Sequence, residues 1–245
     1  MISLLHGDCL ELMKSIPDNS IDCIVTDLPY GTTVCKWDNI IPFDKMWPEV
    51  ERVIKKNGAI CLFGVEPFSS TLRVSNLKNF KYDWFWKKSK AFDFMNAKNK
   101  PMNIIETISI FSNGTTANRS KNRMPYYPQG LKPFGKTVKR CLDTKEQEHG
   151  LARKSHKSEV FREFTNYPNQ FLEFASQGKT VHPTQKPVAL LEYLIKTYTL
   201  ENETVLDFTM GSGSTGVACK KLNRKFIGIE KEEKYFNIAK ERINV

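Results

Sequence analysis

The sequence has no apolar run approaching the roughly 20 residues that a membrane-spanning helix needs. Met1 to Leu12 also lacks the basic, apolar and small-residue zones of a secretory leader. A cytoplasmic chain with no membrane partner is the expectation. Cysteine pairing is missing as well. Cys9, Cys23, Cys35, Cys61, Cys141 and Cys219 are scattered without a Cys-x-x-Cys pair, and His149 and His156 lie near Cys141 alone. Neither a zinc pattern nor a disulfide framework emerges, so no metal is expected and the thiols read as small buried or half-buried side chains. There is no internal repeat. What is present is an ordinary globular composition, 40% hydrophobic and 26% charged, over 245 residues. That length suits one α/β domain with an inserted lobe and is tight for two full domains.

Acid is what the middle third is short of. Residues 81–160 hold 17 Lys and Arg against 7 Asp and Glu, whereas the remainder is balanced at 20 against 20. The formal charge of +10 is therefore confined to one segment. A solvated basic face explains most charge runs, but this confinement favours a polyanion-binding surface, with nucleic acid the first candidate.

On either side of that segment strands and helices alternate. Ile2–His6 reads as a short strand, and Asp8 can cap the helix that follows. Residues 21–26 form a β-branched run that Pro29 and Gly31 break. Residues 43–55 have helical spacing at Met46, Val50, Val53 and Ile54, stopped by Asn57-Gly58, and 59–63 is a buried-type strand. Residues 82–86 and 104–111 read as an antiparallel pair, with Trp84 and Trp86 as core. From 112 to 178 Lys, Arg, Asn, Pro and aromatics mix without a period, and the aromatics are too many for a linker. After 181 come a helix (188–198), a strand (204–208), a glycine-rich turn, a helix, a strand (225–230) and a last helix (234–243). Strands separated by helices imply parallel pairing.

The turn is Gly211-Ser212-Gly213-Ser214-Thr215-Gly216, and Glu230 stands 19 residues after Gly211 at the end of the next strand. Glycines let the backbone turn sharply and approach a ligand, and an acid at that distance can accept ribose hydroxyls. An adenosine-bearing cofactor follows. A dinucleotide fold would begin with this loop, yet only 15 residues follow Glu230. The rest of the sheet must come from upstream, so the order is permuted and a dehydrogenase is disfavoured.

Thr26-Asp27-Leu28-Pro29-Tyr30-Gly31 ends a strand and joins a carboxylate, free carbonyls and an aromatic ring. It resembles the Asp-Pro-Pro-Tyr motif of the amino-methyltransferases of DNA. Asp207-Phe208-Thr209-Met210-Gly211-Ser212-Gly213 is similar to their cofactor motif, His182-Pro183-Thr184-Gln185-Lys186-Pro187 to the segment before it, and His6-Gly7-Asp8-Cys9 to the piece before the catalytic strand. This order is that of the family's beta class. The resemblance covers roughly residues 1–111 and 179–245. It implies a Rossmann-like α/β fold, dependent on S-adenosylmethionine, with circularly permuted motifs. Residues 1–111 would form the catalytic half, 112–178 an inserted target-recognition region, and 179–245 the cofactor-binding half.

The resemblance also implies roles. Asp27 and the Leu28 carbonyl accept the hydrogens of an exocyclic amine, while Pro29 steadies Tyr30, which stacks on a flipped base. The family usually has Pro where Leu28 stands; Leu supplies the same carbonyl without fixing φ. Asp8 meets the amino group of the cofactor adenine, and Cys9 supplies backbone contacts. Asp207 and Phe208 line the methionine end, Gly211 and Gly213 allow close approach, Glu230 takes the ribose, and Thr184 and Lys186 take the methionine carboxylate. Lys87, Lys88, Lys132, Lys136, Lys139, Arg140, Arg153 and Lys154 are expected phosphate contacts on double-stranded DNA, which position the protein without choosing sequence. Asp rather than Ser at position 27 leans toward adenine N6. Cytosine N4, RNA as substrate, and a DNA-binding member with weak turnover stay open, as does a homodimer.

Overall fold

The computed structural model describes residues 1–31, 38–139, 159–175 and 185–244. They fall into two compact units, Met1–Tyr127 with Gln170–Val245, and Pro128–Asn169. The strands are β1 (Ile2–His6), β2 (Ile21–Asp27), β3 (Ile54–Gly64), β4 (Phe80–Phe92), β5 (Asn103–Phe111), β6 (Lys132–Lys139), β7 (Glu159–Thr165), β8 (Phe171–Glu173), β9 (Thr204–Asp207) and β10 (Lys225–Glu230). The helices are α1 (Cys9–Leu12), α2 (Phe43–Val53), α3 (Phe68–Ser75), α4 (Val188–Tyr198), α5 (Ser214–Lys221) and α6 (Glu233–Ile243).

The larger unit is built on an eight-stranded sheet in the order β1-β10-β9-β2-β3-β5-β4-β8. β1, β10, β9, β2 and β3 run parallel. β5 is antiparallel to both β3 and β4, and the short β8 is parallel to β4. The last two strands, β9 and β10, are inserted between the first two, as the permuted order requires. The smaller unit carries the antiparallel pair β6–β7.

Strand periodicity explains why both faces are covered. On β2, Cys23 and Val25 point into one apolar cluster with Leu190, Leu191 and Leu194 of α4, while Ile24 points into another with Met46 and Val50 of α2 and Leu72 of α3. Trp84 and Trp86 are each only 3% exposed, and their indole N–H groups donate to the Tyr198 hydroxyl (2.6 Å) and the Phe174 carbonyl (2.9 Å). They are core.

Two boundaries differ from expectation. Helix α2 stops at Val53 rather than Lys55, because Ile54 is taken into β3 opposite Ile21 and buried there. The segment 171–173, expected within the insertion, lies in the main sheet, where Leu172 is buried opposite Trp86. No helix among the described residues is long and apolar enough to cross a membrane.

Candidate active site

Because five neighbouring strands run the same way, their carboxyl ends meet at one edge of the sheet, where open α/β sheets bind ligands. A cleft of about 400 Å³ opens there. It is lined by Asp8 and Cys9 after β1, Asp27 to Tyr30 after β2, Phe63 at the end of β3, Lys186 before α4, Asp207 to Ser212 after β9, and Glu230 at the end of β10. Every described residue singled out for catalysis or cofactor binding lies along this cleft except Gly213, which caps α5 just behind it. Thr184 falls outside the described residues, as do Arg140, Arg153 and Lys154.

The glycine turn shows why these residues are small. Gly213 has φ 76°, and a Cβ there would stand 2.8 Å from the Cβ of Ala239 on α6. At Gly216 a Cβ would meet Ile243 at 2.3 Å and Phe226 at 2.7 Å. Both glycines therefore let α5 close onto β10 and α6, as the third glycine of such a motif does. Arg242 pins the turn, donating to Ser212 Oγ (2.7 Å) and Ser214 Oγ (3.1 Å). The Glu230 carboxylate accepts from Gly211 N–H and Glu232 N–H, each at 2.8 Å, and burial pushes its pKa up. Asp8 caps α1 through Leu10 N–H (3.0 Å) and receives Lys231 Nζ at 3.2 Å.

Asp207 is buried among hydroxyls. Thr215 Oγ1 donates to one carboxylate oxygen at 2.6 Å, and Thr26 Oγ1 and Thr209 N–H to the other at 3.2 Å each. Burial pushes its pKa up to about 7 against these hydrogen bonds. Thr209 Oγ1 in turn donates to the Asp27 carbonyl at 2.9 Å, tying the two strand ends together.

Asp27 has charged company. Lys186 Nζ lies 2.6 Å from Asp27 Oδ2 and 2.8 Å from Glu106 Oε1, and Lys88 Nζ lies 2.6 Å from Glu106 Oε2. The result is a line of alternating charge, Lys88, Glu106, Lys186, Asp27, of which only the outer members reach solvent appreciably. The Tyr30 hydroxyl donates to Asp27 Oδ1 at 2.5 Å and lies 3.2 Å from Glu106, and its ring packs on Phe68 at 5.0 Å. Burial raises the Asp27 pKa and Glu106 adds to it, while Lys186 opposes. Glu106 is held below the usual range because Lys186 and Lys88 outweigh its burial. Burial beside two carboxylates keeps Tyr30 a neutral phenol.

Glu106 was missed in the sequence. Its signal is a lone acid on β5 at the same parity as Ile104, Ile108 and Ile110, on the face that is buried. A charge there needs a partner, and two lysines supply it. Lys88, expected on phosphate, is one of them. Lys186, expected at a methionine carboxylate, meets Asp27 and Glu106 instead. Leu28 is 3% exposed and packs with Ile24, Leu62 and Phe208, so its side chain is core, although the residue also lines the cleft. Lys87 pairs with Glu173 at 3.0 Å. Lys132, Lys136 and Lys139 are exposed on β6 of the smaller unit. Among the described residues no group of three His, Cys, Asp or Glu is placed to hold a metal ion.

Comparison with known proteins agrees with this geometry. The sequence profile of a family described as DNA methylase matches residues 21–241. The type II methyltransferase M2.LlaDCHI of Lactococcus lactis subsp. cremoris is 31% identical, with 98% of this chain and 88% of that protein covered. M.HinfI of Haemophilus influenzae is 28% identical over 98% of this chain and 68% of its own. Among solved structures, the M1.HpyAVI–SAM complex covers 100% of both chains at 26% identity with a TM-score of 0.64. The cytosine-N4-specific PvuII DNA methyltransferase reaches a TM-score of 0.67 at 16% identity, over 98% of this chain and 86% of that one, a likeness of fold.

Proposed function

The chain belongs to the DNA methylase family, enzymes that move a methyl group from S-adenosylmethionine to an amino group of a DNA base, and on that premise we propose that its target is adenine N6. The observation that carries the reading is the meeting of Asp27, Leu28 and Tyr30 with the glycine turn in one cleft.

The cleft suits S-adenosylmethionine in size and chemistry: about 400 Å³, walled by Phe208, backed by the glycine turn, with carboxylates of Asp8 and Glu230 at one end. We assign the ribose to Glu230, the adenine to Asp8 and Cys9, and the methionine end to Asp207, Phe208, Gly211 and Gly213. Bound there, the cofactor supplies a methyl group already activated on a sulfonium. What the chain adds is orientation and polarity.

An exocyclic amine is a poor nucleophile because its lone pair is delocalised into the ring. An ionised Asp27 accepting one hydrogen and the Leu28 carbonyl accepting the other draw the nitrogen toward tetrahedral geometry. Asp27 has room for this: a carboxylate has about four lone-pair sites, and Lys186 and Tyr30 occupy two. As the new N–C bond forms, the S–CH3 bond of the sulfonium would break to leave a neutral thioether and the nitrogen would become positive, and Asp27 would be the acceptor for the proton it sheds. A carboxylate with a raised pKa suits that task. The base must first leave the duplex, and stacking on Tyr30 offsets part of that cost.

Double-stranded DNA is the proposed substrate, and the segment around β6 and β7 the proposed target-recognition region. Lys136 lies directly opposite Arg162 there, a pairing of like charges that an approaching phosphate would relieve. The names of the curated relatives suggest a place in a restriction-modification pair. The test is incubation with labelled S-adenosylmethionine and unmodified duplex DNA, followed by nucleoside analysis. N6-methyladenine is expected, N4-methylcytosine would move the target to cytosine, and no labelled nucleoside would overturn the reading.

A further inference from the structure

The hairpin joining β4 to β5 ends in two large apolar side chains held out to solvent: Phe94 is 78% and Met95 92% exposed. They sit on a short helical turn, Phe94–Asn96, that is firmly built. Asp93 adopts φ 74°, its carbonyl accepts from Asn96 N–H (3.0 Å), and its carboxylate takes Asn96 Nδ2 (2.6 Å) and Lys100 Nζ (2.5 Å). Exposed Lys90 and Lys98 flank the turn and have no carboxylate partner among the described residues.

The position of this tip is set by register. Phe63, which lines the cleft, pairs with Ile108, and Glu106 lies two residues nearer the tip. Asn103, where β5 begins, is three residues beyond Glu106, about 10 Å at strand rise. The apolar pair therefore projects past the same sheet edge on which the cleft opens. A lone exposed hydrophobe is ordinary, but an adjacent pair on a firmly hydrogen-bonded, cation-flanked tip at the cleft's edge of the sheet has a use.

We propose that Phe94 and Met95 form a wedge that enters the DNA duplex beside the target and fills the slot left in the stack when the base swings into the cleft. This rests on the reading that a duplex base is flipped. Flipping leaves a gap in an apolar stack, and Phe and Met are among the side chains that can occupy such a step. Lys90 and Lys98 meet the flanking phosphates, which brings the tip to the groove without selecting a sequence.

The test begins by locating the modified site in plasmid DNA labelled by the wild-type protein. Failure to label any DNA would count against methylation itself rather than against the wedge. Duplexes are then made with the target base intact and 2-aminopurine beside it, in fully paired and target-mispaired forms. For Phe94→Ala with Met95→Ala, single-turnover methylation and the 2-aminopurine signal should each fall about tenfold on the paired duplex. The mispaired duplex, where opening is already cheap, should be methylated at the wild-type rate. Both residues are exposed, so folding is not at stake. An equal loss on both duplexes, no loss on either, or a dimer that dissociates while the flipping signal persists would each overturn the proposal; the last would make the pair a contact between copies.

Discussion

Two aspartates end adjacent parallel strands, Asp27 on β2 and Asp207 on β9, and the protein treats them differently. Asp207 is surrounded by neutral donors, two threonine hydroxyls and a backbone N–H. Asp27 is held by an ammonium and a phenol and faces a second carboxylate through that ammonium. Burial raises both pKa values. The neutral cage fixes Asp207 as a joint between strand, turn and helix. The charged cage leaves Asp27 with a protonation state that its neighbours set, which is what a proton acceptor needs.

The largest effect that would sharpen this contrast is Asp27→Ala. Single-turnover methylation should drop on the order of 10³-fold while cofactor binding by calorimetry persists. Retained transfer would remove Asp27 from the chemistry. Next is Tyr30→Ala, with base capture weakened about tenfold, read as a higher KM for DNA at saturating cofactor.

The charged line makes a paired prediction about pH. The groups facing Asp27 are Tyr30 beyond its own strand, Lys186 before α4, Glu106 on β5 with Lys88 of β4 behind it, and Asp207 on β9. On the proposed mechanism Asp27 must be ionised to accept a hydrogen, so the single-turnover rate should climb with pH through its pKa. Lys186→Met removes a cation that lowers this pKa, and the acid limb should move up by about one pH unit. Glu106→Gln removes a like charge that raises it, and the limb should move down. Shifts in the same direction would break the assignment of the line.

A smaller effect concerns Asp207 and stability. Its folded pKa of about 7 lies above the unfolded value of 3.8, so between those values the folded state binds the extra proton. That contribution is complete below the unfolded value and disappears as pH rises through about 7. Asp207→Asn stays neutral, so urea denaturation should show the variant gaining on wild type from pH 4 to 7, by a few kcal/mol, then running level. A difference independent of pH would mean that hydrogen bonds outweigh burial there.

Much of this was legible in the sequence because it is local. The turn from Gly211 to Gly216, the acid at Glu230, the cap at Asp8 and the corner from Asp27 to Tyr30 each occupy a few consecutive residues, and parallel pairing brings their strand ends to one edge without further information. The antiparallel pairing of β4 and β5 agrees with the reading of 82–86 and 104–111 as two successive strands. Glu106 did not declare itself, since its partners lie 18 residues away at Lys88 and 80 away at Lys186. A charge run likewise cannot tell a lysine that faces solvent from one that turns inward. Lys87 and Lys88 are neighbours, yet only Lys88 turns inward, to the buried Glu106, while Lys87 pairs with exposed Glu173. The extent of the insertion was blurred because Leu172 looks like any apolar residue in an irregular stretch until Trp86 is seen opposite it.

The pairing of β1 with β10 has a consequence for how the molecule comes into being. β2 acquires its neighbour β9, and β1 acquires β10, only after some two hundred residues have been made. A growing chain therefore carries its aspartate-tyrosine corner through most of synthesis without the strand that completes the pocket, and such distant pairings are slow to form. Methylating capacity should arrive abruptly with β10 and α6 rather than accumulate along the way, so that a chain stopped short of β10 holds the aspartate-tyrosine corner and none of the chemistry.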